Sequence, residues 1–138
     1  MGSRLVLSER LPVQCEDDIV LVRRRVRGLA QEKGFNTFAV AAITTAASEL
    51  ARNIWTHARQ GHVDVEVLLD ASRAGLRLRF EDQGPGISDV ERALAGGYST
   101  AKSLGLGLSG SRRLVDEFRL DTVPGAGTTV TVLKWARL

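Results

Sequence analysis

The sequence predicts a two-layer α/β sandwich: one mixed, mostly antiparallel sheet with helices on one face. Three observations carry this. Two long stretches in the first half repeat apolar residues at helical spacing, and a pair of alternating segments then follows around a polar loop. A second alternating pair, joined by Pro124-Gly125-Ala126-Gly127, closes the chain. With 138 residues, 43% hydrophobic and 25% charged, residues 1–138 read as a single domain that builds its core without staples.

The elements follow in order. Leu5, Leu7, Leu11 and Val13 mark an opening strand, interrupted by Ser8-Glu9-Arg10. From Glu16 to Lys33 the stripe Ile19, Val22, Val26 and Leu29 predicts a helix, with Asp17 and Asp18 suiting its start and Gly34 its stop. Asn36 or Thr37 caps a second helix to about Ala58, striped by Val40, Ile43, Ala47, Leu50 and Ile54. Two strands, Val63 to Leu69 and Leu76 to Phe80, flank a hairpin loop from Asp70 to Gly75. Beyond a glycine-rich turn, Ser88 caps a short helix, Asp89 to Ala95, and Gly96 to Gly107 is aperiodic. A helix then runs to about Phe118, followed by strands Phe118–Val123 and Thr128–Trp135.

Composition excludes a disordered tail, a collagen-like repeat and a disulfide-stapled mini-domain. Cys15 is the sole cysteine, so no internal disulfide forms and a reducing, cytoplasmic setting is expected. No apolar run approaches the ~20 residues of a membrane-spanning helix, and no signal peptide is visible. The net charge of +3 raises the question of nucleic acid. Its main cluster, Arg23, Arg24, Arg25 and Arg27, has no interleaved aromatics to stack on bases and reads as a solvated helix face. No nucleic-acid or membrane partner is expected.

Several stretches break the pattern of a plain scaffold. Glu49 and Asn53, four residues apart, share a helix face nearly opposite the apolar stripe, with small Ala42 and Ala46 beside them. The pair is either solvated, or a carboxylate placed to take a proton and an amide oxygen placed to ligate a hard cation. Asp82-Gln83-Gly84-Pro85-Gly86-Ile87 directly follows a strand. It is either a mere turn, or an acceptor for a ligand amino group with glycines that admit a flat ring. Gly105-Leu106-Gly107-Leu108-Ser109-Gly110 leads into a helix, where free backbone N–H groups suit phosphates.

That last stretch also spells the dinucleotide-binding pattern, but no strand precedes it. Gly96 to Ser103 nearly spells a P-loop, with Ala101 where glycine must stand, and the protein-kinase strings are missing. Gly96 to Ser103 reads either as a lid or as ordinary surface loop. At Gly127-Thr128-Thr129 a threonine hydroxyl faces a ligand or merely suits a strand. His57 and His62 lack partners at metal-ligand spacing and read as surface residues, and Ser109 and Ser111 have no triad context.

Taken in order, Glu49-x-x-x-Asn53, Asp82-x-Gly84-x-Gly86, Gly105-x-Gly107 and Gly127-Thr128 resemble the GHKL ATPase superfamily from about residue 15 onward. The stretches Ile43 to Asn53, Glu81 to Ile87 and Arg113 to Phe118 look like the RsbT-type switch kinases of the bacterial stressosome. The resemblance implies the GHKL, or Bergerat, ATP-binding fold and a protein serine/threonine kinase using ATP and Mg²⁺. It implies that Glu49 is the general base and that Asn53 ligates Mg²⁺. Asp82 would accept from the adenine amino group, with Gly84, Gly86 and Ile87 around the ring. Gly105, Leu106, Gly107 and Leu108 would wrap the phosphates, with Ser99, Thr100 and Lys102 on the lid and Thr128 at the pocket. The implied partners are STAS-domain scaffold or antagonist proteins as phosphoacceptors and, after release, a PP2C-type phosphatase. An anti-sigma factor kinase and a nucleotide-gated binding module without kinase output are the alternatives.

Overall fold

The computed structural model describes residues 2–86 and 108–136. Its elements are β1 (Arg4–Val13), α1 (Asp17–Glu32), α2 (Thr37–Ala58), β2 (Gly61–Asp70), β3 (Arg73–Asp82), α3 (Leu108–Leu114), β4 (Glu117–Val123) and β5 (Gly127–Trp135). The short helix expected over 89–95 and the aperiodic stretch 96–107 lie outside the described residues. The five strands form one sheet in the order β1-β2-β3-β5-β4. Every pairing among them is antiparallel, so the described sheet is not mixed.

Strand alternation divides the sheet into two faces. Val63, Val65 and Val67 of β2, Leu76, Leu78 and Phe80 of β3, and Val130 and Val132 of β5 are buried on one side. They meet Val22, Val26 and Leu29 of α1 and Ile43, Ala47, Leu50 and Ile54 of α2 in a single core. Each such aliphatic side chain contributes about 1.5–3 kcal/mol on burial. The other face carries charges paired across strands: Arg10 Nε lies 2.7 Å from Asp64 Oδ1, and Arg77 Nε 2.6 Å from Glu66 Oε1. The described helices therefore cover one face only.

The helix ends obey local chemistry. Asn36 Oδ1 accepts from the Ala39 N–H at 2.8 Å, capping α2, and Gly34 takes φ +87 beyond α1. Arg59 closes α2 in the left-handed region, its N–H donating to Ile54 O at 2.9 Å.

Three boundaries differ from the sequence reading. β1 is not interrupted at Ser8-Glu9-Arg10. Glu9 points to the helix layer and pairs with Arg25 of α1, while Arg10 points the other way to Asp64, so each charge finds a partner from a distant element. The β2–β3 turn is only Ala71-Ser72, because Asp70 and Arg73 already pair in register and Ala71 adopts φ +53. Finally, α3 stops at Leu114 rather than near Phe118. The Asp116 N–H donates to Leu133 O at 2.9 Å and its carboxylate accepts from the Trp135 N–H at 2.8 Å, drawing the chain into the sheet early.

Candidate functional site

α2 sets the frame of the site. It lies between α1 and α3 and crosses the sheet, so two sides of its cylinder are covered. Glu49 and Asn53 are half-buried, and their neighbour Ala46 is fully buried.

One helical turn beyond Asn53 stands His57, also half-buried. The sequence reading of His57 as a surface residue is corrected here. Burial holds its ring below the usual 6.5, against the opposing pull of the Asp82 carboxylate. Glu49, Asn53 and His57 thus form one line at i, i+4 and i+8, which was the available signal. The line ends beside Asp82, at the close of β3.

Asp82 is half-buried. Burial pushes its carboxyl above the ordinary 3.8, opposed by hydrogen bonds from the backbone N–H groups of Gly84 and Thr128 and by the nearby His57 ring. Gly84 N donates to Asp82 Oδ1 at 2.9 Å, so the residue organises its own turn. Packing explains the glycines. A Cβ on Gly84 would lie 2.7 Å from Ala58 Cβ at the end of α2. Gly86 has φ +74, and a Cβ there would meet Val123 O at 2.4 Å. The Gly125 N–H further ties the turn to β4–β5 by donating to Pro85 O at 2.6 Å.

Thr128 sits opposite Asp82 in register. Its hydroxyl is 3.0 Å from that of Thr122, so it is engaged within the sheet. Leu108 opens α3 with its side chain in the core, leaving only its backbone for any ligand. Ile87, Ser99, Thr100, Lys102, Gly105, Leu106 and Gly107 lie outside the described residues. Ser111 is buried.

His62 is half-buried on the outer sheet face, where its Nε2 lies 3.5 Å from Glu81 Oε2 and 3.8 Å from Asp64 Oδ2. These acidic partners come from cross-strand register, which residue spacing along the chain does not show. Among the described residues no group of His, Cys, Asp and Glu could hold a metal by itself. Two shallow cavities of about 270 Å³ flank the Asp82 turn, and neither is lined by Glu49 or Asn53. Among the described residues no helix is long and apolar enough to cross a membrane.

The arrangement matches known proteins along nearly its whole length. Residues 11–134 match the histidine kinase-like ATPase domain. The chain is 46% identical over 125 residues to the serine/threonine-protein kinase RsbT of Bacillus subtilis (strain 168), covering 91% of this chain and 94% of that protein. It is 36% identical over 97 residues to the anti-sigma F factor of Halalkalibacterium halodurans, covering 67% and 66% of the two chains. Its fold matches about a third of a Mycobacterium tuberculosis structure that comprises RsbU and RsbW domains, with a TM-score of 0.65 at 21% identity; the match covers 96% of this chain and 34% of that one. The chain therefore belongs to the histidine kinase-like ATPase family and, within it, is a serine/threonine-protein kinase of the RsbT type.

Proposed function

We propose that this kinase uses ATP and Mg²⁺ to phosphorylate a serine or threonine on a STAS-domain scaffold or antagonist protein. Once released, it activates a PP2C-type phosphatase, as one switch of a cytoplasmic stressosome pathway. The observation that carries the catalytic part is the half-buried line Glu49, Asn53, His57 ending at Asp82. From Glu49 to His57 the helix rises about 12 Å, which separates a base at one end from an adenine acceptor at the other.

In this reading Asp82 accepts from the adenine amino group, and its upward-shifted carboxyl is stabilised in the charged form by the Gly84 and Thr128 N–H groups. Gly105, Leu106, Gly107 and Leu108 are assigned to the phosphates, and Ser99, Thr100 and Lys102 to the lid. Asn53 offers a neutral, half-buried amide oxygen, a ligand of the kind Mg²⁺ takes when phosphates and waters supply the rest. Bound there, Mg²⁺ would neutralise charge on the phosphate oxygens. Glu49 takes the proton of the acceptor hydroxyl as its oxygen bonds to the γ-phosphorus and the bond to the β–γ bridging oxygen breaks, releasing ADP.

The test is incubation with γ-labelled ATP, Mg²⁺ and lysate of the cells of origin, beside a Glu49→Ala control. Wild type should label small STAS-domain bands, and the variant should transfer ~10²–10⁴-fold more slowly with ATP affinity little changed. Equal rates would remove Glu49 from the mechanism. Label on an anti-sigma pathway protein would favour the anti-sigma reading, which the 36% identity to an anti-sigma F factor supports. ATP binding with no Glu49-dependent label would leave a nucleotide-gated binding module.

A further inference from the structure

Apart from the Asp82 turn, a groove of about 640 Å³ lies between the outer surfaces of α1 and α2. Phe35, Val40 and Thr44 belong to its lining, with Ala41 and Thr45 along the α2 wall and Arg27 and Gln31 along the α1 wall. Glu49 and Asn53 do not contribute to its lining.

The two walls differ in charge. From Thr37 to Ser48, α2 carries no charged residue, and its exposed stripe is Phe38, Ala41 and Thr45 at i, i+3 and i+7. Phe38, next to Thr37 of the groove but not in its lining, is 88% exposed, an unusual place for a large aromatic side chain. From Ile19 to Gln31, α1 carries four arginines and no acid. Arg25 faces β1 and is paired with Glu9. Arg27 lines the groove and Arg23 stands one turn before it; neither has an ion pair among the described residues, and both are exposed.

A partly apolar trough, its α2 wall uncharged and its α1 side bearing guanidinium groups with no ion pair among the described residues, is the complement of a particular surface. We propose that this groove docks an amphipathic helix of a partner protein, its apolar ridge lying on Phe38, Ala41 and Val40 and its acidic flank meeting Arg23 and Arg27. Helix-in-groove binding reads such a ligand at i, i+3, i+4 and i+7. The α1 wall from Arg23 to Gln31 is about 12 Å long, enough for two turns. The inference goes beyond the kinase reading, since docking at this face requires neither nucleotide nor Glu49.

The test uses the full chain and a fluorescein-labelled helical peptide with a leucine ridge flanked by glutamates, read by anisotropy. Its control is the same peptide with lysines in place of the glutamates. Wild type should bind the glutamate peptide and not the lysine peptide. Arg27→Glu should weaken the first by about tenfold or more and create binding of the second. Phe38→Ala should weaken the glutamate peptide, while Arg119→Glu on the outer sheet face should not. ATP affinity, unchanged across the variants, reports that each is folded. Equal binding of both peptides, or indifference to Arg27 and Phe38, would overturn the proposal. So would a concentration-dependent dimer in sedimentation that Phe38→Ala abolishes, because a second copy would then be the occupant.

Discussion

Replacing Gly84 with alanine would place a Cβ 2.7 Å from Ala58 Cβ, 3.1 Å from Ala58 Cα and 3.2 Å from Asp82 Oδ1. Non-bonded carbons rest at ~3.5–4.0 Å, so the turn or the end of α2 must move by roughly an ångström. Neither neighbour is the free tip of a flexible side chain. Ala58 is the last residue of α2, and the next residue is held by the hydrogen bond from Arg59 N to Ile54 O at 2.9 Å. Overpacking of this kind costs ~1–3 kcal/mol. The same shift draws the Gly84 N–H from Asp82 Oδ1, now at 2.9 Å, and hydrogen bonds to charged groups are worth ~1.5–3 kcal/mol. Urea denaturation should therefore show a loss within the overpacking range. Calorimetry should show ATP binding weakened by about tenfold, the equivalent of ~1.4 kcal/mol. Ala58→Gly alone should cost ~0.5–1 kcal/mol. Combined with Gly84→Ala it should recover part of the loss, since it removes the nearest contact and leaves only that to Cα. A Gly84→Ala protein as stable as wild type would refute the packing argument. So would a double variant whose effects add within ~0.5 kcal/mol.

The remaining predictions concern charge. Asp82→Asn should weaken ATP binding by ~1.5–3 kcal/mol without lowering the Tm at pH 7. Burial raises the native Asp82 pKa above 3.8, so folding disfavours the carboxylate, and any stability advantage of the variant should shrink on acidification through the native pKa. His57 has the opposite consequence: its native pKa is depressed below 6.5, so the unfolded chain takes up the proton first and stability falls as pH drops below about 6.5. His57→Gln should flatten that slope in thermal melts, and an unchanged slope would show that His57 is not the group responsible. Glu9→Gln removes the pairing with Arg25, a partly exposed contact, and should cost no more than about 1 kcal/mol in chemical denaturation.

Helix and hairpin order were legible in the sequence because their signals are local. The stripe of Ile43, Ala47, Leu50 and Ile54 and the alternation of Val63, Val65 and Val67 each need only one element and one solvent-free side. Asn36 and Gly34 marked helix ends through their own backbones. The motif spacings Glu49-Asn53 and Asp82-Gly84-Gly86 were equally visible, and with them the family. What the sequence left open depends on residues far apart in the chain. β1 reads as interrupted because Glu9 and Arg10 look solvated, yet Arg25 and Asp64 pair with them. The half-burial of Glu49 and Asn53 comes from tertiary packing around α2, which no helical wheel contains. His57 looked like a surface residue until β3 delivered Asp82 to the end of the same helix face. Periodicity therefore determined the elements and the motifs. Only tertiary packing decided which charges are paired and which glycines are sterically required, because contacts between distant segments leave no periodic trace along the chain.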